Sequence, residues 1–396
     1  MGRRGRRTAQ TGPHPIRMGA LPLPMRGLVQ AVKAYESRTV QAAVEGSRRV
    51  AVQALMAHPL VPLWKVAKPL LEDLLALREM RPLAPAHGAV DVYPVHQTLP
   101  LAHGMEHRPR PVFQSYVAYT GHLERLNLAF LQGRGAPQTV FLDLSGMDGR
   151  FPPLDDALSW PVLLTHYDIT DVGGALLRLE RTAEPRQHAL VPVATQEVGL
   201  GEWLAVPSVA EGPLWATVDL RPSLSGRLWA ALYKPPEALL ELRLRDGSAP
   251  VYRLVPAVAR EGFVLSPAIT DRLSFPLLAA TDGRTYLAPQ EADLVRIVPG
   301  RGALGSRAFQ PRVRVGLSRL EFPRQDLSAV PGYRQYQGMR ALAGRVQVLQ
   351  ADETPQLRLL PREGMVLTMS GAAQIAVPVP AGARLVHIGC GMQREA

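Results

Sequence analysis

At 396 residues, with 46% hydrophobic and 20% charged side chains, the chain has globular composition and room for two or three domains, which excludes an intrinsically disordered protein. A single cysteine, Cys390, excludes an internal disulfide and a Cys-rich zinc site and leaves the redox compartment open. The net charge of +11 is carried almost wholly by arginine, since Lys33, Lys65, Lys68 and Lys234 are the only lysines. That bias reads as GC-rich coding. The cations are scattered, as at Arg221, Arg227, Arg243, Arg245 and Arg253, without interleaved aromatics, so no nucleic-acid partner is expected.

Residues 1–24 read as a disordered basic tail, beginning Met1-Gly-Arg-Arg-Gly-Arg-Arg7 and turning Pro-rich. No apolar core follows Thr8–His14, so no secretory signal is read there. No segment approaches the roughly 18–20 apolar residues of a spanning helix, and the default location is cytoplasmic. Residues 25–80 are helical in pattern. Leu28, Val32, Tyr35, Val40 and Val44 fall near helical spacing; Gly46 is a stop, and Ser47 caps Arg48–Ala57. A third helix, starting near Lys68 with Pro69 in its first turn, ends near Met80 and carries Leu70, Leu71, Leu74 and Leu75.

Beyond Met80 the texture becomes strand-like, at Val90–Val95, Val112–Tyr119, Thr139–Leu144, Ala175–Leu179 and Trp215–Leu220. A helix is expected over Gly121–Leu131 with Leu123, Leu126, Leu128 and Phe130 buried. Leu239–Arg245 and Val251–Val258 flank Asp246-Gly-Ser-Ala-Pro250, a hairpin signal, and Phe263–Pro267 and Asp293–Val298 are further strands. A last β segment runs from Ala343 to the end. The fold class expected is α+β: a short α-helical segment (25–80), a mixed α/β region (88–325), and a small, incomplete β-sandwich-like end (340–396).

Two resemblances accompany this reading. Arg26–Glu36, Thr39–Ala43, Ala57-His-Pro-Leu-Val-Pro62 and Val66-Ala-Lys68 resemble the C-terminal end of family 4 glycoside hydrolases of the 6-phospho-β-glucosidase type, over about residues 22–80. The resemblance implies NAD and a divalent metal such as Mn, in a redox-elimination mechanism. In that family the dinucleotide fold, the metal ligands and the Tyr base lie upstream of this segment. No catalytic, cofactor-binding or metal residue therefore carries over. Val90–Gln97, Arg108–Tyr116, Asp148-Gly-Arg-Phe-Pro152, Leu154-Asp-Asp156, Tyr233-Lys-Pro-Pro236 and Ser370–Gly391 resemble the water-facing C-terminal region of uncharacterised bacterial polytopic membrane proteins. That likeness implies envelope association and no known chemistry.

Three motifs tempt. His103-Gly-Met-Glu106-His107 has the order of an inverted zinc-peptidase motif, but that chemistry needs a helix, and Gly104, Pro109 and Pro111 oppose one. Gly300-Arg-Gly302-Ala-Leu-Gly305, with Glu321 about twenty residues on, has dinucleotide spacing, yet Ser306–Pro311 is too short for the helix that would face a pyrophosphate. Asp155-Asp156 is read as capping a helix over Ala157–Leu164, with Asp143, Asp148 and Asp168 near enough to suggest a cation or sugar site. Tyr116, Tyr119, Trp160 and Tyr167 could stack on a sugar, although core packing is the commoner role.

The reading is a non-catalytic fusion or fragment without the NAD- and metal-binding half of a 6-phospho-β-glucosidase-like hydrolase. The alternatives are a family 4 type enzyme completed by another chain and an envelope-associated carbohydrate-binding module. Self-association is expected through the apolar faces of residues 25–80.

Overall fold

The computed structural model describes residues 72–337, apart from Ser145, Ala210, Leu273, 301–303 and 335–336, together with four strands between 347 and 376. The helices expected over 25–57 lie outside the described residues. The chain divides into two compact units: Met1–Arg81 with Thr98–Glu106, and Pro82–Gln97 with His107–Ala396. In the first unit, residues 72–80 are helical, in agreement with a helix ending near Met80, and Thr98–Ala102 forms a second, five-residue helix.

The second unit begins with a mixed sheet. Strands β1 (Ala89–Tyr93) and β3 (Thr139–Leu142) are parallel neighbours, with Val90 opposite Thr139, and helix α1 (Gly121–Gln132) lies between them in sequence. Strands β4 (Tyr167–Asp171) and β5 (Leu177–Arg181) extend the sheet antiparallel, and the two-residue β2 (Glu106–His107) completes the order β2-β1-β3-β5-β4. Every residue of β1 and β3 is buried, as expected of a parallel pair covered on both faces. Asp91 sits in the middle of that run.

Two four-stranded antiparallel sheets follow. One has the order β10-β9-β12-β7, from Val251–Leu254, Ala238–Leu244, Ala292–Pro299 and Leu204–Ala205. The other has the order β11-β8-β13-β6, from Phe263–Ser266, Leu214–Asp219, Arg312–Glu321 and Ala189–Gly199. In β9, Ala238, Leu240, Leu242 and Leu244 are buried while Leu239, Glu241 and Arg243 are not, a period of two that puts one face in a core. Val313, Val315 and Leu317 of β13 do the same from the other sheet, and both faces belong to one apolar cluster with Leu214, Val218 and Ile297. The predicted hairpin forms between β9 and β10, with Gly247 at φ +84° in the turn that Asp246-Gly announced. Residues 347–376 add two antiparallel pairs, Gln347–Ala351 with Ala373–Ala376 and Gln356–Leu360 with Gly364–Thr368. The chain is α+β, as expected.

Three local expectations are corrected. Val112–Tyr119 is no strand: the chain makes a single 3-10 turn at Ser115–Val117. Its backbone groups are taken by side chains instead, Val112 by Asn127 on both N–H and C=O, and the Phe113 carbonyl by Gln97 and Arg110. Helix α1 fully buries Gly121, Glu124, Asn127 and Leu131, while Leu123, Leu128 and Phe130 are half-buried, the last two against the core, and Leu126 is 40% exposed. The third is Val251–Val258, whose strand stops at Leu254 because Pro256–Ala259 turns helical with the proline in its first turn. A strand outside the expectations altogether is β6, whose eleven residues are all exposed or half-buried. It pairs along its length with β13, and Pro192 and the absence of apolar alternation conceal it.

Candidate functional site

Buried polar groups cluster where β1, α1 and the 152–159 segment meet. Asp91 has 1% exposure and accepts from Arg110 Nη1 at 2.7 Å and from the Val92 amide. Arg110, itself 2% exposed, spends its other N–H groups on the Pro94 carbonyl at 2.9 Å and Ser115 Oγ at 2.8 Å, and lies over the Tyr93 ring. The rigid guanidinium fork thereby ties the loop after β1 to the turn at Ser115. Asn127 Nδ2 and Arg110 Nε approach Asp156 Oδ2 at 2.9 and 3.4 Å. Asp155 pairs instead with Arg150, at 3.2 Å. The Tyr93 hydroxyl donates to the Asp155 carbonyl.

The two adjacent aspartates diverge, as anticipated, but neither caps a helix. Helix α2 (Ser159–Thr165) begins after Leu158 without a side-chain cap, and each carboxyl serves its own arginine. Burial raises the carboxyls of both Asp155 and Asp156 to about 6, against the opposing pull of Arg150 and Arg110 respectively. Glu124 goes further, to about 9, first through burial and then through the charge of Asp156. One of its oxygens accepts from the Ala157 amide at 2.7 Å, and the other meets no donor of the chain. The cluster therefore offsets two arginines with three aspartates and a protonated glutamic acid. It braces the fold and does not open to solvent.

A different pair sits beyond the carboxyl ends of the parallel strands, where open α/β sheets bind ligands. His96 Nε2 and Asp143 Oδ2 are 3.3 Å apart and both are partly exposed. Burial pushes the Asp143 carboxyl up, but the hydrogen bond and charge of His96 and the field of Arg272 outweigh it and hold it below its usual value. Neither residue was singled out as a pair from the sequence, because forty-seven positions separate them and only the parallel register joins them.

The tempting motifs do not assemble. The helix Thr98–Ala102 ends before His103, Gly104 takes φ +66°, His103 Nε2 contacts the Arg81 carbonyl and His107 Nε2 contacts Gln97. Gly305 opens a four-residue 3-10 turn, Gly305–Ala308, and a strand follows, so no helix N-terminus faces a pyrophosphate. Asp168 pairs with Arg186, and Asp148 lies 3.8 Å from Arg253. Trp160 and Tyr167 are fully buried core side chains, so the set proposed for sugar stacking is not brought together. No group of three or more His, Cys, Asp or Glu among the described residues is placed to hold a metal ion. Among the described residues, neither the His103–His107 motif nor the Gly305 motif therefore supplies the helix that its chemistry needs.

The open surface is elsewhere. A groove of about 960 Å³ is lined by Tyr119, Trp229, Tyr233, Pro236, Arg253 and Phe309 among others. It borders helix α3 (Leu224–Leu232), whose outward side is apolar.

Comparison with known proteins bears on the other end of the chain. Residues 7–61 match the family 4 glycosyl hydrolase C-terminal domain. A probable 6-phospho-beta-glucosidase of Bacillus subtilis (strain 168) is 46% identical over 66 residues, which are 17% of this chain and 15% of that protein. The phospho-alpha-glucosidase PagL of Clostridium acetobutylicum is 39% identical over 69 residues, 17% of this chain and 16% of its own length. The chain thus spans about a sixth of the curated relatives it matches. The family match takes in residues 7–24, which the sequence pattern alone assigned to a tail, and all of it lies outside the described residues. No solved structure matches the chain. The likeness of residues 88–396 to polytopic membrane proteins is supported by none of these comparisons, and no described helix is long and apolar enough to cross a membrane.

Proposed function

We propose that this chain is a non-catalytic protein in which a segment like the family 4 C-terminal domain is joined to an α+β binding module. The observation that carries this reading is the fate of the carboxyls. Asp91, Glu124, Asp155 and Asp156 have 2% exposure or less, and are committed to arginines and backbone amides. A carboxyl that works on a glycosidic bond must come within hydrogen-bond reach of it. The test is a hydrolysis assay of the full chain with a chromogenic 6-phospho-β-glucoside, NAD and Mn²⁺. No turnover is expected; turnover above a buffer blank, abolished by chelator, overturns the proposal.

Two other readings have an observation each. The 46% identity to a probable 6-phospho-beta-glucosidase favours an enzyme completed by another chain. That reading requires the full chain to raise the activity of a separately supplied nucleotide-binding half. Tyr119, Trp229 and Tyr233 beside the groove favour a carbohydrate-binding module. It requires saturable oligosaccharide binding that Trp229→Ala removes.

A further inference from the structure

Four of the most exposed large apolar side chains of the described residues fall within ten positions. Leu224 is 82% exposed, Leu228 63%, Leu232 77% and Tyr233 70%. The leucines are spaced i, i+4, i+8 along α3 and so form one straight ridge, about 13 Å long. Trp229, 36% exposed, flanks the ridge with its ring 5.7 Å from that of Tyr233. A monomer in water does not ordinarily leave a ridge of this kind uncovered.

The helix is held so that this face must point outward. Ser223 caps it, accepting from the Gly226 amide at 3.1 Å, and Ser223 and Ser225 both donate to the Arg307 carbonyl. On the inner side, a Cβ at Gly226 would fall 2.0 Å from the Ala308 carbonyl oxygen, so the backbones are in direct contact there. The helix cannot roll its leucines inward without losing both anchors.

The rim is basic. Arg227 and Lys234 lie on or just after α3, Lys234 Nζ stands 5.5 Å over the Tyr233 ring, and Arg307 is exposed beside the N-terminus of the helix. Arg221 and Arg260 share the carboxylate of Asp219, and Glu237 lines the adjoining groove. Five cations against two carboxylates would oppose themselves across a two-fold contact between copies of this face. The same rim complements a negatively charged surface. Leucines on one ridge, aromatic rings at its edge and flanking Arg and Lys are the side chains that lodge a helix in the headgroup layer of an anionic bilayer.

We propose that the Leu224–Leu228–Leu232 face of α3, with Trp229, Tyr233 and the basic rim, docks this protein onto an anionic lipid bilayer, the helix lying in the plane of the interface. The inference is independent of whether the chain hydrolyses a glycoside.

The test is co-sedimentation of the full chain with phosphatidylcholine vesicles, with and without phosphatidylglycerol. The chain is expected to partition onto the anionic vesicles and not the neutral ones. Leu228→Asp or Leu232→Asp should lower the partition coefficient roughly tenfold or more each, because burying a leucine supplies at least that much. Arg227→Gln and Lys234→Gln should lower it roughly fivefold each, an effect that fades as salt is raised. All four positions are exposed, so circular dichroism and urea unfolding of the variants should match the parent protein. Binding that survives both leucine substitutions would place the attraction in the basic run at residues 1–7 and overturn the proposal. Absence of binding to anionic vesicles, or a dimer in solution that Leu228→Asp dissociates, would overturn it as well.

Discussion

Glu124 lies on the buried side of α1 with one oxygen on the Ala157 amide and the other on no donor of the chain, so a charge placed there has little to stabilise it. Its carboxyl moves from the ordinary 4.5 to about 9 on folding, because of burial first and the Asp156 charge second. A raised folded-state value means that stability is full below pH 4.5 and is lost as pH climbs towards 9. At about 1.4 kcal/mol per decade, the loss is under ~1 kcal/mol at pH 5 and of the order of 4–5 kcal/mol at pH 8. Glu124→Gln removes this slope, since an amide does not ionise. It also places an NH₂ where no acceptor waits, at a cost of about 1–3 kcal/mol. The two effects have opposite signs, and pH decides between them. The variant should be less stable than the parent by about 1–2 kcal/mol at pH 5 and more stable by about 2 kcal/mol at pH 8. Urea unfolding followed by tryptophan fluorescence at the two pH values reads this directly. The same destabilisation at both pH values would refute the protonated glutamic acid and the charge balance built on it. Asp155 and Asp156, raised to about 6, tilt the parent protein in the same direction over the lower window from about 4 to 6.

Other substitutions probe the same framework. Arg110→Met leaves Asp91 and Asp156 buried without their shared cation and should cost about 3–5 kcal/mol in urea unfolding. Restoration by Asp91→Asn and Asp156→Asn together would be expected if charge, not shape, is what is lost. Gly226→Ala should destabilise by about 1–3 kcal/mol, because its methyl group meets the Ala308 carbonyl. The purified chain should carry no stoichiometric zinc by elemental analysis; zinc lost on His103→Ala would restore the peptidase-like reading. Saturable NAD binding lost on Gly305→Val would do the same for the dinucleotide reading. A chain lacking residues 1–84 should be more monodisperse in sedimentation if residues 25–80 drive self-association, and a less soluble one would count against that.

What the sequence made legible, and what it hid, follow from how each residue signals its environment. Strand β9 was readable because one of its faces is buried and the other wet, which writes a period of two into Leu240, Leu242 and Leu244. The Asp246-Gly turn was readable because its backbone needs a residue that accepts positive φ. Helix α1 was found, with Leu128 and Phe130 against the core, but its two most buried polar side chains were missed, because Glu124 and Asn127 face inward and the rule that places leucine inside assigns them to water. Their partners are Ala157, Val112 and Asp156, fifteen to thirty-three positions away, and no local pattern announces such a pairing. Helix α3 inverts the rule in the other direction, with leucines outside and a glycine inside. Its i, i+4, i+8 spacing is legible in the sequence, but the spacing says that one face is apolar and not which way that face is turned. The direction is fixed by a single backbone approach at Gly226 and by two serines on the Arg307 carbonyl. Carboxyls that resemble a site are therefore sealed in the core, while leucines that resemble core stand on the surface. Residue type alone points to Asp155-Asp156 and passes over α3, whose exposed ridge among the described residues carries the docking proposed above.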